Sequence, residues 1–240
     1  MKEFLQTAQE NITFLLTCLA IFAVLILAAW LAERVLKTPS RLNTARTVSY
    51  IAMFSAIAAV LMLIEIPLFF APSFYEIDLS EIPILICTFY LGPVAGVVCE
   101  FLKILLKLII KGTSTAFVGD FANFFVGCSL VLPASIIYHA KKTRRMAIIG
   151  LITGTAIMTV FGSFFNAVYM LPKFSQLFGL PMDGIIGMGT AVNSAITSVS
   201  TLVLFAVVPF NLLKGALVSF LTLLLYKRVE RLFFRTKKQA

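Results

Sequence analysis

The chain has 240 residues, of which 60% are hydrophobic and only 13% charged. One soluble core cannot hide that much apolar surface, so a water-soluble globular domain is excluded. The net charge of +9 does not mark a nucleic-acid binder, because the basic residues are grouped in the connections between apolar runs.

Residues 12–32, ITFLLTCLAIFAVLILAAWLA, supply the roughly 20 apolar positions that cross a bilayer. The run is too long for a signal-peptide core, its leader contains Glu3 and Glu10, and no A-x-A site follows. It is expected to be a retained transmembrane helix. A basic connection with Arg34, Lys37, Arg41 and Arg46 leads to the next span, 45–70, which Pro67 and Pro72 end. The loop APSFYEIDLSEIP then carries Glu76, Asp78 and Glu81 and no base. Residues 83–111 are long for one helix, and Gly92-Pro93 should break them into 83–91 and 93–111. Two further spans, 117–138 and 146–171, flank the basic run KKTRR. An Asn/Ser-rich stretch at 189–208 precedes the last span, 209–226, and a basic tail.

The connection at 33–46, KKTRR and the tail hold fourteen of the twenty Lys and Arg, and all three should face the cytoplasm. Four crossings then separate the first from the second, which requires the break at Gly92-Pro93. From KKTRR to the tail, 146–171 crosses once and 209–226 returns. The stretch 189–208 is therefore expected not to cross fully, but to be buried against protein or to line a cavity. The alternative, with 189–208 spanning and KKTRR outside, breaks the charge rule. The expected product is an all-α polytopic membrane protein with an external N-terminus and a cytoplasmic C-terminus.

Cys18, Cys87, Cys99 and Cys128 lie singly in apolar segments, with neither metal-site nor disulfide spacing. His139 stands alone beside KKTRR, and no phosphate-binding Gly-rich loop is present. No catalytic residue, metal ligand or cofactor is expected. The informative polar residues are Asn211 and Lys214 in PFNLLKG, since a mid-bilayer lysine costs roughly 2.5–3.5 kcal/mol. By the charge rule they share the outer side with Asn166 and the acidic loop. Two amides and an ammonium suit a planar heterocycle whose edge alternates carbonyl and N–H. Structural readings stand beside this one: Lys214 can snorkel to headgroups, the amides can join helices, and Asp78 and Ser80 can cap a helix. Glu100, Lys103, Lys107 and Lys111 share one helix face, read as a Glu100–Lys103 pair with snorkelling lysines.

The segments DLSEIPILICTFYLGPVAGVVCEFLK, GDFANFFVGCSLVLPA, FNAVYMLP and PFNLLKG resemble the riboflavin-binding S components of energy-coupling-factor (ECF) vitamin transporters, over about Thr47 to Arg228. The resemblance implies a six-helix core at 45–228, preceded by an extra transmembrane helix and linker at 1–44 and followed by a tail at 229–240. It places the flavin ring of riboflavin, the transported ligand, against Asn166, Asn211 and Lys214, with Asp78, Leu79 and Ser80 closing over it. It also implies docking of a transmembrane T component on Ala52, Ser55, Ala56 and Ala59, with energy from two separate ATPase subunits, in a bacterial cell membrane. Packing within the protein explains that small-residue spacing equally well. An S component for another vitamin or for FMN, and a stand-alone secondary transporter, stay open as alternatives. The latter should show inverted repeats, and none is found.

Overall fold

Gly, Pro and charge set the helix bounds in the computed structural model, which describes residues 12–37, 44–72 and 74–233. Glu3, Glu10, Arg41, Arg235, Lys237 and Lys238 lie outside the described residues. Helix α1 spans Ile12–Val35 and α2 spans Ala45–Met62. The next short helix, α3 (Glu81–Leu91), turns at Gly92 into α4 (Pro93–Lys111), as the Gly-Pro break implies. Then follow α5 (Val118–Lys141) and α6 (Arg144–Phe165). A wide π turn at Asn166–Met170 joins α6 to α7 (Leu171–Phe178). The short helices α8 (Met182–Val192) and α9 (Val199–Leu202) lead into a second π turn, Val203–Val207, and α10 (Val208–Phe233).

Two expectations are corrected. The run 45–70 stops being helical at Met62, because Pro67 lacks an N–H and disfavours helix in the residue before it. Its remainder forms a two-residue strand, β1 (Ile66–Pro67), antiparallel to β2 (Glu76–Ile77), so the acidic loop is a small hairpin. The stretch 189–208 is not one segment. Its start completes α8, whereas from Val199 the chain already belongs to the last long helix, started by a Ser198–Thr201 capping box.

Among the described residues, five helical runs are long and apolar enough to span a membrane: Leu16–Val35, Ala45–Met62, Val118–Lys141, Arg144–Phe178 and Val199–Val229. Short α3 and the charged α4 pack inside the bundle these runs form. There Glu81, Glu100, Lys103 and Lys107 bury their charges against one another and against neighbouring helices. α5 and α6 approach closely, since a Cβ at Gly150 would lie 2.7 Å from the Ala134 carbonyl oxygen and one at Gly154 2.5 Å from that of Leu130.

The N-terminal helix is docked on the rest. Cys18 and Ala29 are buried, and Phe22 stacks on Phe101 of α4 at 4.1 Å. At its far end Glu33 Oε1 accepts the Val94 N–H at 3.0 Å, so a carboxylate from α1 caps the first turn of α4. Charge and hydrogen bond both favour that position. Glu33→Ala should therefore lower unfolding stability in detergent by about 1–2 kcal/mol, read as a lower melting temperature. An unchanged melting temperature would show that this cap carries no weight.

Candidate ligand-binding site

At the end of the bundle where the hairpin, α7 and α8 lie, a cavity of ≈ 340 Å³ opens between the β-hairpin, α4, α5, the first π turn and α10. That volume falls in the range of small-molecule sites. Asp78, Asn166, Asn211 and Lys214 all line it, together with the aromatic side chains Phe74, Tyr75, Phe174, Phe178 and Phe210. Four positions spread over 137 residues of sequence thus meet in one cavity. Ser80 and Leu79 do not line it. Ser80 is buried beneath, its N–H donating to Asp78 Oδ1 at 2.9 Å, and Leu79 packs on the α3–α10 core.

Lys214 does not snorkel. Its ammonium donates to Asp78 Oδ2 at 2.9 Å and lies 3.2 Å from Glu81 Oε1, with the residue only 5% exposed. Those carboxylates offset the cost of the buried charge. Burial works against the Asp78 charge, yet the Lys214 and Lys103 ammoniums and the Ser80 N–H outweigh it, holding the carboxyl well below the usual carboxylate range. The bond to Asp78 engages one of the three ammonium protons, which leaves donor capacity for a ligand.

The lysine stripe on α4 is corrected in the same way. The Glu100–Lys103 pair forms, at 2.7 Å. Lys103 also donates to Ser80 Oγ at 3.1 Å and Asn123 Oδ1 at 3.2 Å and lies 3.4 Å from Glu81. Lys107 is buried and pairs with Asp120, so it does not reach for headgroups, whereas Lys111 is exposed at the end of α4 and pairs with Glu65.

Both amides sit at wide turns. Asn166 opens the first π turn. Its Nδ2 donates to the Gly162 carbonyl at 2.8 Å and its Oδ1 accepts from the Tyr75 hydroxyl at 3.0 Å. Asn211 follows the second, with Nδ2 donating to the Val207 carbonyl at 3.0 Å. Such turns leave helix carbonyls short of their usual partners and recur at functional sites. Each amide is held by its own helix, with hydrogen-bonding capacity remaining toward the cavity.

Sequence reading missed Tyr75, Glu81, Lys103, Asn123 and the aromatic lining. Glu81 had been noted only as loop charge. On α2 the small residues divide: Ala52 and Ala56 face outward, whereas Ser55 and Ala59 are buried. Ser55 Oγ donates to the Ile51 carbonyl at 2.7 Å. Of the four, only Ala52 and Ala56 are exposed on the outer face of α2.

The family described as ECF transporter, substrate-specific component, matches residues 46–226. The chain is 34% identical over 185 residues to the riboflavin transporter RibU of Staphylococcus aureus, covering 77% of this chain and 90% of that one. It is 30% identical over 181 residues to the riboflavin transporter FmnP of Bacillus subtilis, covering 75% and 90%. A solved structure of the S component of a bacterial ECF transporter superposes with a TM-score of 0.61 at 34% identity, covering 79% of this chain and 98% of that one. Helix α1 lies before the matched region.

Proposed function

The chain belongs to the substrate-specific components of ECF transporters, multi-pass membrane proteins rather than enzymes, and we propose that it binds riboflavin for uptake. The observation that carries this reading is the cavity in which Lys214, Asn166 and Asn211 stand among five aromatic side chains. Rings on the walls suit a flat aromatic ligand. The amides and the Lys214 ammonium suit the alternating carbonyl and N–H edge of its polar ring. Asp78 acts through Lys214, fixing where the ammonium points. The hairpin that carries Tyr75 and Asp78 forms the lid, with Tyr75 tied to Asn166.

Energy comes from elsewhere. Two ATPase subunits act through a T component that docks on the α2 face of Ala52 and Ala56. The cavity opens to the outside of a bacterial cell membrane, with KKTRR and the C-terminus in the cytoplasm and the N-terminus external.

Two experiments test this. Purified protein should carry a yellow chromophore with a flavin absorbance spectrum, or acquire one when incubated with riboflavin. Failure to bind riboflavin sinks the ligand assignment. For orientation, a cysteine at Gln176 should react with an impermeant maleimide on intact cells, and one at Thr143 should react only after lysis. The described native cysteines are buried and contribute little background. Labelling of Thr143→Cys from outside reverses the proposed topology.

A further inference from the structure

Beneath the cavity lies a charge imbalance. Asp78 and Glu81, Glu100 and Lys103 of α4, and Lys214 of α10 form one cluster, and all five side chains are buried. Three carboxylates face two ammonium groups, so the fully ionised cluster carries one uncompensated negative charge. A buried group in that position takes up a proton rather than remain charged.

The contacts say which carboxylate does so. Asp78 has Lys214 and the Ser80 N–H, each at 2.9 Å. Glu81 Oε1 lies between two ammoniums, 3.2 Å from Lys214 and 3.4 Å from Lys103. Glu100 has Lys103 alone, and shares it with Glu81. Whereas Glu81 lacks a hydrogen-bond partner only at Oε2 and accepts from Lys103 at Oε1, neither oxygen of Glu100 has one. The carboxyl group fills a notch at Gly127 of α5, where a Cβ would come within 2.7 Å of Oε1. The groups around it are accounted for among the described residues. α5 presents Asn123, taken by Lys103, and the Cys128 thiol. The loop and α3 present Asp78 and Glu81, α10 presents Lys214, and Lys107 on α4 is engaged by Asp120. Glu100 does not line the cavity.

We propose that Glu100 is a proton-binding site, held as a neutral carboxylic acid at neutral pH, whose occupancy sets the lid through Lys103. The link is short. Lys103 holds Ser80 Oγ at 3.1 Å, next to Leu79 and Asp78 of the lid. Ionised Glu100 holds the ammonium at their 2.7 Å contact in competition with Ser80 and Glu81, whereas neutral Glu100 leaves it to them. The proton comes from water and returns to it, and no bond other than O–H forms or breaks.

Infrared difference spectra of the full-length protein in detergent, recorded across a pH series without ligand, read this proton directly. Wild type should show a deuterium-sensitive carboxylic-acid C=O band at neutral pH that Glu100→Gln lacks. Absence of the band from wild type, or its persistence in Glu100→Gln, overturns the site whatever the ligand proves to be. The coupling rests on the riboflavin reading and is tested by riboflavin titration. Wild-type affinity should fall by about tenfold per pH unit once the proton leaves at alkaline pH. Glu100→Gln should keep the neutral-pH affinity and lose this extra dependence, while ionisation of riboflavin itself affects both proteins alike. Identical pH profiles overturn the coupling. A sodium requirement in place of the pH dependence overturns the proton as the occupant.

Discussion

Lys214→Met should weaken riboflavin binding by on the order of ten- to a hundredfold, the cost of a lost hydrogen bond from a charged group, roughly 1.5–3 kcal/mol. The bilayer cost of a lysine, taken alone, implies that removing this charge leaves the fold intact or improves it. The structure reverses that expectation, because Lys214 neutralises Asp78 and approaches Glu81. Removing one partner of a buried pair strands the other, at a cost of about 3–5 kcal/mol. The single variant should therefore be less stable as well as a poorer binder. Lys214→Met combined with Asp78→Asn separates the two effects, since it removes a charge of each sign. The double variant should recover much of the melting temperature but not the affinity, measured by quenching of riboflavin fluorescence. Wild-type affinity in the double variant would remove Lys214 from the site.

Ala56→Leu, or Ala52→Leu, should reduce riboflavin uptake by cells to the level seen without the protein, while the detergent-purified variant binds riboflavin as wild type does. Both alanines are exposed on a helix that otherwise presents Val48, Ile57 and Val60 outward. An added isobutyl group meets only lipid in the isolated subunit, so folding and binding are spared. In the assembled importer it holds a partner helix away, because close approach depends on small side chains. Ser55→Leu is the contrast: that residue is buried, so the added bulk should destabilise the subunit itself. Uptake surviving both alanine substitutions would move the docking face off α2.

Much of the architecture was legible because punctuation and charge are local. Gly92-Pro93 divides α3 from α4, and Thr143, within the basic run, caps α6 through its side chain. The gathering of Asp78, Asn166, Asn211 and Lys214 at one end followed from counting crossings between basic connections. Ion-pair partners were less legible. Glu100 and Lys103 are three residues apart and could be matched, but Lys214 and Asp78 are 136 apart and meet only in the folded bundle. The inward face of α2 was hidden for another reason. A helix with protein on one side and lipid on the other is apolar all round, so periodicity does not separate Ser55 from Ala56. The π turns have no residue signature at all.

Those two turns make the site a matter of chain length as well as residue identity. A wide turn accommodates one residue more than an α-helical turn, and each residue advances a helix by about 100°. Deleting one residue from 203–207 would let the helix run regularly, yet it would rotate Asn211 and Lys214 by that angle relative to Leu202. Leu202 is buried with Ile185 and Ile196, so both halves could not keep their places. A relative without the wide turn needs one residue fewer there. An alignment forced without a gap through 203–207 or 166–170 would then pair Asn211 or Asn166 with a residue that faces away from the ligand.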